Sequence, residues 1–152
     1  DLSGVPIQIG GIDVDAILLS HPNGGFGYRL TEDDKVFVFL TDNELEFEHP
    51  EGKSYVDYLE FSRGADLLIH DAEYTDKEYE TRTRGWGHSR YRKALQLAME
   101  AGVKQFGIFH HNQDRTDAEI DAIVADCHEI IARTGSKMIC YAVAQDQEIV
   151  IR

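Results

Sequence analysis

Apolar residues recur with a strand-like period in the first third of this chain and with a mixed strand and helix rhythm after it. Residues 5–9 read as a short strand stopped by Gly10-Gly11, and residues 14–19 read as a second one. The cluster His21-Pro22-Asn23-Gly24-Gly25 is a turn, because Pro and Gly together end any regular element. Residues 26–30 and 35–40 then form a hairpin across 31–34. Positions 36–40 are continuously apolar, which predicts burial on both faces.

Past an acidic loop the rhythm changes. Residues 54–63 place Tyr55, Tyr58 and Leu59 on one helical face, and Gly64 ends the helix. Residues 65–69 are a buried strand running into His70-Asp71. Residues 76–84 are polar and read as a loop or weak helix. Residues 90–101 are amphipathic, with Tyr91, Ala94, Leu95 and Ala98 on one face and Gly102 beyond the end. Residues 103–109 form a strand. Residues 116–133 carry the strongest helical signal: Thr116 and Glu119 make a capping box, while Ile120, Ile123, Val124, Cys127, Ile130 and Ile131 line one face. Residues 137–143 and 148–151 complete the chain as a hairpin. Strands first, then β-α-β-α units, predict an α/β fold with a sheet of mixed direction.

Length and composition add limits. The 152 residues fit one domain with a real core, and 42% hydrophobic with 28% charged residues excludes a disordered chain. No apolar run reaches the roughly 18 residues of a membrane span. The net charge of −13 repels polyphosphate at long range and argues against a nucleic-acid polymer as partner. A small phosphate ester held by a metal remains compatible, since a local cation overrides the global field. Cys127 and Cys140 sit in apolar-periodic segments and read as buried free thiols, pointing to the cytoplasm. The first residue is Asp1 and not Met, so the chain is expected to be an excised piece of a longer protein.

The chemistry-bearing residues gather at one topological level. His21, Asp42, Asp71 and His110 each follow a strand, and His88 in Gly87-His88-Ser89 precedes a helix. Loops at the carboxyl ends of strands collect active sites in layered α/β folds. His with carboxylate is the ligand set of zinc or a similar metal. Taken singly, each has a plainer role as turn residue, Asx-turn or cap; their repetition makes a site. His49, His111 and His128 lack that placement and read as structural or surface residues. Arg82, Arg84, Arg90 and Arg92 flank His88 as solvated side chains or phosphate contacts. Trp86 beside them stacks on a base or packs against the following helix.

These segments resemble motifs of metallo-β-lactamase-fold phosphodiesterases, the branch of ribonuclease Z and the cyclic phosphodiesterases. His21 through Gly27-Tyr28-Arg29 is similar to its His … Gly-Tyr-Arg element, and Thr41-Asp42-Asn43 to its bridging-Asp motif. Leu68-Ile69-His70-Asp71-Ala72 is similar to its Leu-Ile-His-Glu-Ala element, with Asp71 in the Glu place. Gly87-His88-Ser89 resembles Gly-His-Ser-Thr, and Phe109-His110-His111 the final metal-His motif. The resemblance implies an αββα sandwich and two divalent metals, zinc or else manganese. It implies His21 in one metal site, Asp42 as the bridge, His110 in the second site, and His88 oriented by Asp71 for the phosphoryl oxygen or leaving group. The family's His-x-His-x-Asp-His signature does not occur here, and no His precedes His21. Residues 1–152 are therefore expected to be a single domain or half-domain, the C-terminal half of that fold. Either the first half lies elsewhere or the chain is a degenerate relative. A lone half would expose apolar sheet and would need the missing N-terminal half, a partner chain or a homo-oligomer to cover it. The expected function is metal-dependent hydrolysis of a small phosphodiester such as a cyclic nucleotide; the alternative is a binding or sensor module that keeps the fold without the chemistry.

Overall fold

In the computed structural model, residues 7–151 are described. A single seven-stranded sheet runs in sequence order from β1 to β7. Its first part is an antiparallel meander: β1 (Ile7–Ile9), β2 (Ile12–Leu18), β3 (Phe26–Glu32) and β4 (Lys35–Leu40). Each hairpin turn carries residues that tolerate positive φ, Gly10-Gly11 and Asp33 among them. From β4 onward every pairing is parallel: β4 with β5 (Leu67–Asp71), β5 with β6 (Gln105–Phe109), β6 with β7 (Ile139–Ala142). Parallel neighbours need crossovers, and helices supply them: α1 (Tyr55–Ser62) before β5, α3 (Tyr91–Glu100) before β6 and α4 (Asp117–Thr134) before β7.

Capping boxes start the helices where the sequence places them. Ser54 with Asp57 begins α1, and Thr116 with Glu119 begins α4. A third box, Thr75 with Glu78, starts the short α2 (Asp76–Glu78), which runs into a π-helical turn, Tyr79–Thr83. The polar stretch read as loop or weak helix is thus helical, in the widened form that often accompanies functional sites.

All the larger helices cover one face of the sheet. Val38, Leu40, Leu68, Phe106, Ile108 and Cys140 point to that face and close the core with Tyr58, Leu95, Leu97, Cys127 and Ile131. The alternation leaves the opposite face apolar too. Opposed residues share a face, and the row Ile7, Val14, Leu30, Phe37, Leu67, Gln105, Ile139 runs across the whole sheet on the side away from the helices. Ile139 is 59% exposed there, and Ile9, on the same strand as Ile7, is 61% exposed. Phe37 and Phe39 are half-exposed, so β4 is not buried on both faces as its apolar run predicts. The αββα expectation holds as one sheet with its helical layer; among the described residues there is no second sheet to cover the other face.

Strand β5 begins two residues later than its apolar run suggests, at Leu67, and carries His70 and Asp71 inside the strand. Among the described residues the closing hairpin is absent: residues 148–151 form no strand, and Gln105 Nε2 donates to the Val150 carbonyl at 3.2 Å. Residues 5 and 6 of the first strand reading lie outside the described residues. Both cysteines are free and buried as expected. No helix among the described residues is long and apolar enough to cross a membrane.

Candidate metal centre

The carboxyl ends of β4, β5 and β6 lie side by side, and their first loop residues converge. Asp42 follows β4 and His110 follows β6; both take left-handed backbone, φ 57° and φ 55°. Such conformations cost about 1 kcal/mol or more outside glycine and persist where the surroundings impose them. Here they turn the two side chains toward one another. His110 Nε2 lies 3.3 Å from Asp42 Oδ1. His88 stacks on His110 with ring centroids 4.4 Å apart. Asp42, His88 and His110 each offer a ligand atom within 4.8 Å of the others.

A buried polar scaffold holds this group. Asp71, fully buried, accepts the amides of Ser89 at 2.7 Å and Asn43 at 2.5 Å, and faces His88 Nδ1 at 3.3 Å. With Nδ1 donating to Asp71, the neutral His88 ring keeps its Nε2 lone pair free for a metal or a proton. Asn43 also takes the Ser20 amide at 2.9 Å and donates to His70 Nε2 at 3.2 Å. His70 in turn donates Nδ1–H to the Asp71 carbonyl at 2.6 Å, so this wholly buried imidazole is structural. Burial pushes its pKa down.

Glu44 is the second anchor. Its carboxylate, 1% exposed, accepts from His49 Nε2 at 2.9 Å, Tyr79 Oη at 2.7 Å, and the amides of Gly85 at 2.6 Å and Gly87 at 2.7 Å. The loop that presents His88 is thereby clamped on both sides of Trp86. At Gly87, φ is +102°, and a Cβ would stand 2.2 Å from His21 Cδ2, so only glycine lets this loop close over His21.

His21 belongs to the same cluster edge-on, its ring centroid 5.3 Å from that of His88. Its Nδ1 accepts the Asn23 amide at 3.2 Å, which leaves the proton of the neutral ring on Nε2. Burial, and then the charge of His88, lower its pKa. His88 goes the other way: burial opposes its charge, but the Asp71 bond and the Asp71 and Glu73 charges outweigh burial and raise its pKa. His110 is raised to about 9, chiefly by Glu73, against burial and with help from Asp42.

Glu73 is the residue the sequence reading missed. Its Oε2 lies 3.3 Å from His110 Nδ1 and 3.7 Å from His88 Nδ1, and Asn112 Nδ2 fixes its other oxygen at 2.9 Å. The signal was present: two residues after Asp71, extended chain repeats the same face. His110 Nδ1 is buried with no well-aligned hydrogen bond, so Glu73 acts on it through charge more than through a formed bond. The donor set fits a divalent cation, since imidazole and carboxylate are the ligands of zinc and manganese. His110 Nε2 and Asp42 Oδ1, 3.3 Å apart, are two of the atoms that would hold such an ion.

The remaining candidates separate cleanly. Arg90 is spent on Glu46 and Asp76, and Arg92 on Asp126 and Asp76. Trp86 is 54% exposed, so the packing role expected for it is not what it does. His49 serves Glu44, His111 reaches the Val143 carbonyl, and His128 donates to the Cys140 carbonyl.

No family model matches the chain. It is 38% identical to a ribonuclease Z of Brevibacillus brevis over 80 residues, covering 50% of this chain and 25% of the relative. Among solved structures, the short form of human tRNase Z superposes with TM-score 0.65 at 19% identity, over 96% of this chain and 46% of that one. The metallo-β-lactamase-fold protein YhfI of Bacillus subtilis gives TM-score 0.65 at 17% identity, over 91% of this chain and 49% of its own. The chain thus spans about half the length of these structures and a smaller share of the curated relative. It carries the metallo-β-lactamase fold and resembles the ribonuclease Z-like branch of that superfamily over part of its length.

Proposed function

We propose that this chain supplies one half of a dinuclear metal hydrolase of phosphodiesters. The observation that carries the reading is the convergence of Asp42, His88 and His110 on left-handed loop ends over buried Asp71. In this reading Asp42, His110 and His21 would hold two divalent ions, Asp42 between them, with zinc preferred and manganese possible. Bound divalent ions supply positive charge to the phosphate and lower the pKa of water. His88 Nε2 holds or delivers a proton at the phosphoryl or leaving-group oxygen, and Asp71 fixes the ring for that task. His21 takes part through Nε2 once its proton has moved or left.

The missing His-x-His-x-Asp-His ligands come, in this proposal, from a first half on another segment or partner chain. The apolar side chains left partly or largely exposed on the sheet face away from the helices, Ile7, Ile9, Leu30, Phe37 and Ile139, support that, since such surface marks an interaction site. A reducing compartment such as the cytoplasm suits the two free buried thiols.

Net charge argued against a nucleic-acid polymer, yet the relatives are named as ribonucleases. The global count of −13 does not by itself set the local field, and Arg82 and Arg84, on the segment before His88, make no ion pair among the described residues. A phosphodiester substrate of either size is therefore part of the proposal, the small ester being the simpler one to test. In the intact protein, Asp42→Ala and His110→Ala should each lower metal-dependent hydrolysis of bis(p-nitrophenyl) phosphate by about 100-fold or more. Unchanged turnover in both variants would refute the assignment. The second reading, a binding or sensor module, rests on the absent signature motif; it requires that the parent protein lack that motif as well.

A further inference from the structure

Three side chains of the loop after β6 converge on one residue beside the end of β5. Within residues 110–115, His110 Nδ1 stands 3.3 Å from Glu73 Oε2, Asn112 Nδ2 donates to Glu73 Oε1 at 2.9 Å, and Arg115 Nη2 donates to the Glu73 carbonyl at 3.0 Å. Asn112 Oδ1 accepts the Asp114 amide at 3.0 Å, which fixes its amino group toward Glu73. The same Arg115 nitrogen meets Glu78 Oε2 at 2.9 Å and ties the loop to α2. The Arg115 side chain is 9% exposed, and its Nε is buried without a partner. An unfilled buried donor costs about 1–3 kcal/mol, so the contacts at the far end of this arginine must outweigh that. Two carboxylates thus serve two stacked imidazoles. Asp71 Oδ2 lies 3.3 Å from His88 Nδ1, nearer than Glu73 Oε2 at 3.7 Å, and Glu73 is left to His110. The other edge of the His110 ring also meets a carboxylate, Nε2 lying 3.3 Å from Asp42 Oδ1. The two distances are equal, and exposure decides between them: the Asp42 side chain is 46% exposed and that of Glu73 11%, so water screens Asp42 more.

We infer that Glu73 is the positioning residue of His110. Its carboxylate keeps the neutral ring protonated at Nδ1 and leaves the Nε2 lone pair for a divalent cation beside Asp42; Asn112 and Arg115 hold Glu73 to that task. Partners of this kind orient metal-binding histidines and raise their affinity for the ion. The inference deepens the metal-hydrolase reading, on which it rests, by assigning a residue that acts through His110 and not on the substrate.

The test reads the ring itself. Imidazoles protonated at Nδ1 and at Nε2 differ in their nitrogen shifts, so nitrogen NMR of the metal-free chain at about pH 10, above the His110 pKa of about 9, reports the tautomer. His110 is assigned by the signals lost in His110→Gln. Expected is Nδ1–H in the parent and in Glu73→Gln, which keeps an acceptor. Glu73→Met, which removes the acceptor at similar length, should populate Nε2–H. Asn112→Ala, which frees the Glu73 carboxylate without changing charge, should do so in part, and it decides the matter if Glu73→Met does not fold. An Nε2–H ring in the parent overturns the inference, as does an unchanged tautomer in the folded variants. Zinc affinity is measured on the same proteins by competition with a chromophoric chelator. Glu73→Met should weaken zinc about tenfold or more and Glu73→Gln less. Equal affinity in parent and both variants overturns the positioning role and leaves the metal reading standing. A parent that binds no zinc removes the metal reading, and the tautomer still decides the role of Glu73.

Discussion

The buried carboxylate of Glu44 holds the amide of Gly87 at 2.7 Å, and this contact sets where His88 stands. The same carboxylate holds Gly85, Tyr79 and His49, joining the loop after β4 to the π-helical turn and the loop before α3. A network of this kind is costly to break, because the donors are buried and cannot turn to water. Glu44→Gln should lower unfolding stability by about 3 kcal/mol in urea denaturation, since the amide group faces donors it cannot accept. A loss below about 0.5 kcal/mol would show that the loop is held otherwise.

Asp71 acts on His88 through orientation. In Asp71→Asn the side-chain amide must present a donor to one of the Ser89, Asn43 or His88 partners, all of which donate. Turnover in the intact protein should fall about 100-fold or more while zinc content is kept. A parallel loss of zinc would make Asp71 a support of the metal group instead.

Protons and metal compete at His110. Its folded pKa of about 9 exceeds the ordinary 6.5, so its protonated form stabilises the metal-free chain. That contribution is complete below pH 6.5 and is lost as pH rises through about 9. Zinc needs the neutral ring. Its apparent affinity should therefore climb between those limits, by about tenfold per pH unit for each proton displaced. Calorimetry in buffers of different ionisation enthalpy reads the proton release; a flat profile would place the metal elsewhere.

Asp66 ties the sheet together at the start of β5, taking the Val36 amide at 2.8 Å and Lys104 at 2.6 Å. Burial opposes its charge, but these bonds prevail and its pKa falls below 3.8. Its contribution is present above that value and disappears as pH drops through the folded pKa. Asp66→Asn should cost about 1–2 kcal/mol at pH 7 and flatten the acid limb of the stability curve. Identical acid limbs in both proteins would contradict this.

Much of the fold was legible because its signals are local. The capping boxes at Thr116 and Ser54, the period of residues 90–101 and the strand-end positions of Asp42 and His110 all lie within a few residues. What stayed hidden depends on distant partners. Glu44 reads as one acid in an acidic loop until Gly85 and Gly87, some forty residues away, arrive as its donors. Glu73 has no meaning until β5 and β6 pair and bring His110 beside it. The exposure of Trp86 follows from that same clamp, which holds it away from the helix it was expected to cover. The false strand at 148–151 shows the opposite failure, an apolar run that forms no ladder with the open edge of β7 and instead brings Ile151 to a hollow bordered by Ile12, Leu30 and Phe37.

The claim that Asp42 and His110, beside His21 and His88, belong to a metal centre is tested most directly by metal content. The purified chain, dialysed against metal-free buffer after zinc loading, should retain about one zinc or more by plasma mass spectrometry. Asp42→Ala and His110→Ala should lose it while keeping the fold. A chain that retains no metal, or variants that retain as much as the parent, would contradict the account.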